Sequence, residues 1–160
     1  MSILYENNGS EYLKWNSGAN TFLMYEDLEK WKKIPVQVQC QFGDTGVTEY
    51  AFLDTGAFWS TLSKETLEIT GMYDSSRKKD QTYWVRRNEL YGYLEQMTVF
   101  ILSDDKWGED LSVTSTFFVT DEHYGPNVIG YNGMLDHIKF ALQPSIKVGQ
   151  DNLFLFARSG

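Results

Sequence analysis

The chain has 160 residues and a formal net charge of −8, a balance that excludes a nucleic-acid partner, because phosphate contacts need clustered Lys and Arg. Hydrophobic content of 42% and aromatic content of 16% exclude a disordered chain and supply a core for one domain. The single cysteine, Cys40, excludes an internal disulfide and reads as a small core side chain.

The N-terminus lacks a basic region followed by an apolar run, and no stretch approaches the length of a membrane span. The expected compartment is therefore the cytoplasm, with no membrane partner. His123 and His137 have no Cys or His at ligand spacing, so no metal site is expected. Both read as surface or helix-terminal residues. Arg77-Lys78-Lys79 is followed at once by Asp80 and reads as a solvated loop.

Residues 1–33 form an N-terminal extension, rich in hairpin signals, whose role the sequence leaves open. Ile3-Leu4-Tyr5 and Tyr12-Leu13-Lys14-Trp15 flank the turn-formers of 6–10 and predict a hairpin. Asn16-Ser17-Gly18-Ala19-Asn20 predicts a turn before the apolar run Phe22-Leu23-Met24-Tyr25, and Leu28 and Trp31 suit a short helical turn within 26–33. Residues 34–42 alternate strictly and predict a half-buried strand. Gly43-Asp44-Thr45-Gly46 then predicts a hairpin tip, with the next strand over 47–53.

Ser63 as N-cap, Glu65 in the first turn and Gly71 beyond the end predict a short helix. Thr82-Tyr83-Trp84-Val85 and Leu90-Tyr91-Gly92-Tyr93-Leu94 flank a charged tip, Arg86-Arg87-Asn88-Glu89. Tyr83, Trp84, Tyr91 and Tyr93 read as core and cross-strand packing, with substrate contact open to them if the hairpin covers a site. Residues 95–102 and 111–119 predict strands around a polar turn. A turn at Gly125-Pro126 leads into Asn127-Val128-Ile129-Gly130-Tyr131-Asn132-Gly133-Met134-Leu135, with a short helix expected at 134–138. The chain then gives strands at 138–142 and 146–148, turns near Pro144 and over 149–152, and the apolar Leu153-Phe154-Leu155-Phe156. The expected class is all-β with one or two short helices.

The chemistry concentrates at Ala51-Phe52-Leu53-Asp54-Thr55-Gly56-Ala57. An apolar run suits a buried strand, and the Gly suits a sharp reversal that holds a carboxylate where the strand stops. Asp44-Thr45-Gly46 repeats the tripeptide, but between two strand patterns, where Asp and Gly are ordinary turn residues. Seven extended residues separate the copies by roughly 23 Å at about 3.3 Å each. The two side chains cannot meet within one chain.

The stretch around Asp54 resembles the active-site turn of the aspartic proteases, and Asp-Thr-Gly-Ala resembles the retroviral, retropepsin-like branch in particular. The run from Asn127 resembles the element that retropepsins place under that turn, a strand ending in Gly that leads into a short helix. The resemblance covers residues 34–156, with 34–160 taken as the protease domain, and implies a closed β-barrel carrying one active-site half per chain. It implies an aspartic endopeptidase acting on peptide or protein substrates as a homodimer, without metal or organic cofactor. Asp54 would be the catalytic carboxylate. Thr55 would bond across the two-fold, Gly56 would let the backbone approach substrate, and Ala57 would fit where a larger side chain crowds it. Val128, Ile129 and Gly130 would lie beneath the loop, and Arg86, Arg87, Asn88, Glu89, Leu90 and Tyr91 would form the flap.

The chain departs from that pattern in two places. Many retroviral enzymes pair an acidic residue after Asp-Thr-Gly-Ala with an Arg after the later Gly; here those positions hold Phe58-Trp59 and Tyr131. An aromatic contact is expected to replace the ion pair at the dimer interface. Family flaps are Gly-rich, whereas this one is charged, with a glycine only at Gly92. The apolar strand 153–156 is expected to interleave with its mate, since a bare edge invites aggregation. A protease-fold dimer that binds peptides or assists assembly without cleaving them is the alternative reading.

Overall fold

The computed structural model describes residues 3–5, 11–14, 17–23, 36–103, 108–143 and 152–158, with side chains over 36–103, 108–142 and 154–158. The helical turn expected within 26–33, part of the polar turn after 102, and the elements expected over 144–151 lie outside the described residues. Strand β1 (Ile3–Tyr5) pairs antiparallel with β2 (Glu11–Lys14) in a separate two-stranded sheet.

The larger sheet is built on strict alternation. In β4 (Val36–Phe42), Val38, Cys40 and Phe42 are fully buried, while Gln39 faces outward. A 3-10 turn, Gly43–Thr45, joins it to the antiparallel β5 (Thr48–Leu53), so the first Asp-Thr-Gly is a hairpin tip, as expected. Next come β6 (Ser60–Thr61), helix α1 (Lys64–Thr70), β7 (Gln81–Val85), β8 (Asn88–Ile101) and β9 (Leu111–Val119). Strand β10 (Val128–Ile129), a 3-10 turn at Leu135–His137, β11 (Ile138–Gln143) and β12 (Asn152–Arg158) complete the order.

Strands β4, β5, β10, β6, β9 and β8 follow one another, and a β4–β8 pairing closes them into a six-stranded barrel. Closure removes the edges that an open sheet would expose. Its interior is filled by Phe42, Ala51, Leu62, Val99, Ile101, Phe117 and Ile129, with Phe42 and Phe117 meeting edge to face at 6.0 Å between ring centroids. Helix α1 plugs against this core through Leu67. Its ends are those read from the sequence: the Ser63 hydroxyl accepts from Thr66 N–H, and Gly71 takes a left-handed φ of 66°.

Three expectations are corrected. Residues 17–20, read as a turn, belong to β3 (Ser17–Leu23), because pairing with β12 and β4 overrides the local preference of Ser, Gly and Asn. The apolar strand at the end of the chain is not a bare edge: β12 is bonded to β11 on one side and β3 on the other. It needs no mate to cover it. The short helix expected at 134–138 is one 3-10 turn.

Candidate active site

Asp54 is the residue at which β5 leaves the barrel. Its N–H donates to the Ile129 carbonyl at 3.0 Å, and Phe52 N–H donates to the Asn127 carbonyl at 2.8 Å, the rungs of a parallel β5–β10 pair. The chain then reverses, with Ala57 N–H donating to the Asp54 carbonyl at 3.1 Å. Gly56 N–H donates to Asp54 Oδ1 at 2.9 Å, so the carboxylate is held by backbone from its own turn. A Cβ at Gly56 would lie 3.2 Å from that oxygen and crowd it. Asp54 and Thr55 are both exposed.

The turn rests on a second loop. Ser60, fully buried, accepts from Gly130 N–H at 2.8 Å. A Cβ at Gly130 would come within 2.5 Å of the Trp59 backbone, so only glycine permits this approach. Tyr131 N–H donates to the Ala57 carbonyl at 2.8 Å and Asn132 N–H to the Phe58 carbonyl at 2.9 Å. The amide of Asn127 accepts from Ser63 N–H at 2.8 Å and donates to the Tyr50 carbonyl at 3.1 Å, tying β5, the α1 cap and β10 together. Neither Ser60 nor Asn127 carries a local sequence signal for these roles. Both act on partners far away in the chain, so no local spacing marks them.

Strands β7 and β8 form a hairpin over this turn, and an open cleft of ≈ 430 Å³ lies between them. Asp54, Gly56 and Ala57 line one side; Tyr83, Trp84, Val85, Arg86, Asn88 and Leu90 line the other. Glu89 and Tyr91 do not line it, as alternation along β8 requires, and neither does Arg87, which precedes that strand. The hairpin tip is tighter than expected. It is a two-residue turn, Arg86-Arg87, with φ of 48° and 72°, while Asn88 and Glu89 already pair with Val85 and Trp84. Tyr83 couples hairpin to turn: its hydroxyl accepts from Trp59 N–H at 3.4 Å, and its ring packs edge-on against Phe118. Tyr93, by contrast, is core.

Trp59, Thr61 and Val128 line the cleft too, and a further wall, 122–126, is not expected from the sequence. His123 is buried there rather than at the surface, with its Nε2–H on the Pro126 carbonyl at 2.9 Å and its ring over Gly125. His137 is exposed, at the end of the 3-10 turn. Among the described residues that line the cleft, the carboxylates are those of Asp54 and Glu122. The oxygens of Glu122 are engaged, Oε2 by Tyr91 N–H at 2.9 Å and Oε1 by Lys79 at 3.8 Å. Beside it, a hydrogen bond from Lys79 holds the Asp121 carboxyl below the usual carboxylate range, and the same bond raises Lys79. No group of three or more His, Cys, Asp or Glu among the described residues is placed to hold a metal ion. None of their helices is long and apolar enough to cross a membrane.

No protein-family model and no curated protein matches the sequence. Solved structures do. A retropepsin-like aspartic protease from Rickettsia conorii superposes with a TM-score of 0.55 at 18% identity, covering 93% of this chain and 100% of that one. The retroviral protease-like domain of Ddi1 from Leishmania major gives a TM-score of 0.47 at 22% identity, covering 74% of this chain and 92% of that domain. The chain has the all-β, closed-barrel fold of the retropepsin-like proteases.

Proposed function

We propose that this retropepsin-like barrel is an aspartic endopeptidase that works as a homodimer. One observation carries the reading. Asp54 presents an exposed carboxylate at the end of a barrel strand, in a cleft whose other carboxylate is already engaged. Peptide hydrolysis of this type uses a water held between two carboxyl groups. Two carboxyls forced together cannot both ionise, so the pair shares a proton. The ionised member removes a proton from the water and the protonated member polarises the scissile carbonyl. Among the described residues of the cleft, a single chain offers Asp54 alone for this work, and a two-fold axis supplies its equivalent.

In this dimer Thr55 bonds across the axis, Gly56 and Ala57 leave room for the peptide backbone, and Arg86, Asn88 and Leu90 meet substrate from above. Phe58 and Tyr131, 58% and 52% exposed and outside the cleft, provide apolar surface for the second copy beside the turn. Their loops are locked together through the Ala57–Tyr131 and Phe58–Asn132 bonds, so little ordering is needed on association. Phe58→Ala with Tyr131→Ala is expected to weaken dimerisation at least about tenfold by analytical ultracentrifugation.

A peptide-library assay between about pH 4 and pH 6, where a carboxyl pair shares its proton, tests the reading. Cleavage by the native chain, lost in Asp54→Asn, supports it. A dimer that binds library peptides without cutting them supports the peptide-binding or assembly module instead. Cleavage that survives in Asp54→Asn overturns the proposal.

A further inference from the structure

Strand β8 belongs to two structures. From Tyr93 to Ile101 it pairs with β9; from Asn88 to Gly92 it pairs with β7. The crossing point is Gly92, where a Cβ would lie 2.2 Å from the Val119 carbonyl oxygen. Strand β9 stops at Val119, and the residues that follow run along the edge of the hairpin that β9 no longer covers. Thr120, 1% exposed, donates its hydroxyl to the Tyr91 carbonyl at 2.7 Å, and Tyr91 N–H donates to Glu122 Oε2 at 2.9 Å. A strand residue turns its N–H and C=O to the same edge. At Tyr91 both groups meet side chains where a neighbouring strand would otherwise be. Glu122 N–H donates to the Thr120 hydroxyl at 3.1 Å, and Lys79 grips Asp121 at 2.5 Å, which fixes the strap from both sides.

We infer that Thr120 and Glu122 are positioning residues that extend the barrel ladder with side chains and set the root of the β7–β8 hairpin above Asp54. The same stretch of chain continues through the cleft wall at 122–126 to Asn127 and β10, which support the catalytic turn. Hairpin root and turn are therefore two ends of one segment. A loosened root raises Tyr83, Trp84 and Arg86 away from Asp54 without touching the carboxylate.

Amide hydrogen exchange on the full chain, resolved at Tyr91 by NMR, tests this directly. Glu122→Ala is expected to speed Tyr91 exchange about tenfold or more relative to the barrel amides of Val99 and Val113. Thr120→Val, which deletes the other bond at nearly constant volume, should act in the same direction. Glu122→Gln keeps an oxygen for Tyr91 N–H while losing the charge facing Lys79, and should restore protection to within about twofold of the native chain. Unchanged Tyr91 exchange in both Glu122→Ala and Thr120→Val overturns the inference. The kinetic arm rests on the endopeptidase reading: Glu122→Ala should raise KM for a cleaved peptide several-fold with a smaller change in kcat, and Glu122→Gln should reverse it. A loosened hairpin with native KM would overturn the positioning role. A native chain that cleaves nothing removes the endopeptidase reading, and the exchange result still decides the strap.

Discussion

Gly130 packs so closely on Trp59 that one methyl group has no room. Gly130→Ala must push the two loops apart, at a cost of about 1–3 kcal/mol, the usual range for overpacking. Urea unfolding should show it as a lower midpoint with unchanged slope. Asn127 works the other way, by supplying bonds: its amide serves Ser63 N–H and the Tyr50 carbonyl, and it is 6% exposed. Asn127→Ala should cost about 1–3 kcal/mol, again by urea midpoint, because a shielded amide loses its acceptor. The sequence made the turn at 54–57 and the Ser63 cap legible because each is written within a few residues: an apolar run, a glycine, a hydroxyl three residues before the donor it meets. Asn127 and Ser60 were illegible for the converse reason. Their partners, Tyr50, Ser63 and Gly130, are neighbours only after the barrel closes.

Among the elements, the β7–β8 hairpin shows how far periodicity reaches. Alternating aromatics located both strands, but the tip was read as four residues when it is two. Arg86 and Arg87 are poor turn formers, and no Asn-Gly stands between the two strands to mark a tight turn. Side chains other than glycine resist φ values of 48° and 72°, at about 1–2 kcal/mol per residue. Replacing the pair by Asn-Gly should therefore raise stability by about 1 kcal/mol, after allowing for the extra freedom of glycine in the unfolded chain. A higher thermal midpoint would register it. Strand β3 was missed because its residues carry a turn signature and its stability comes from β12 and β4.

For the molecule as a whole, the Lys79–Asp121 pair joins the hairpin approach to the strap, and its charges give the fold a defined pH dependence. Asp121 is held below its ordinary value chiefly by the Lys79 hydrogen bond, so its contribution is complete above about pH 4 and is lost as pH falls through the lowered value. Lys79 is raised by the same bond, so its contribution is complete below about pH 10 and is lost as pH rises through the raised value. Asp121→Asn should cost only about 0.2–1 kcal/mol between those limits, since both side chains are about one-third or more exposed and solvent screens them. Below pH 4 the difference should close, as pH-dependent urea titration of the two proteins would reveal. The pair thus stays charged through the pH range in which a shared-proton carboxyl pair operates. The placement of β12 has a further consequence, for the order of events in folding. Ala19 and Phe154 face each other across a ladder although strands β4 to β11 all lie between them in sequence. Strand β3 therefore waits for β12 before one of its edges is satisfied, and a nascent chain must keep that edge from other polypeptides until β12 has been made.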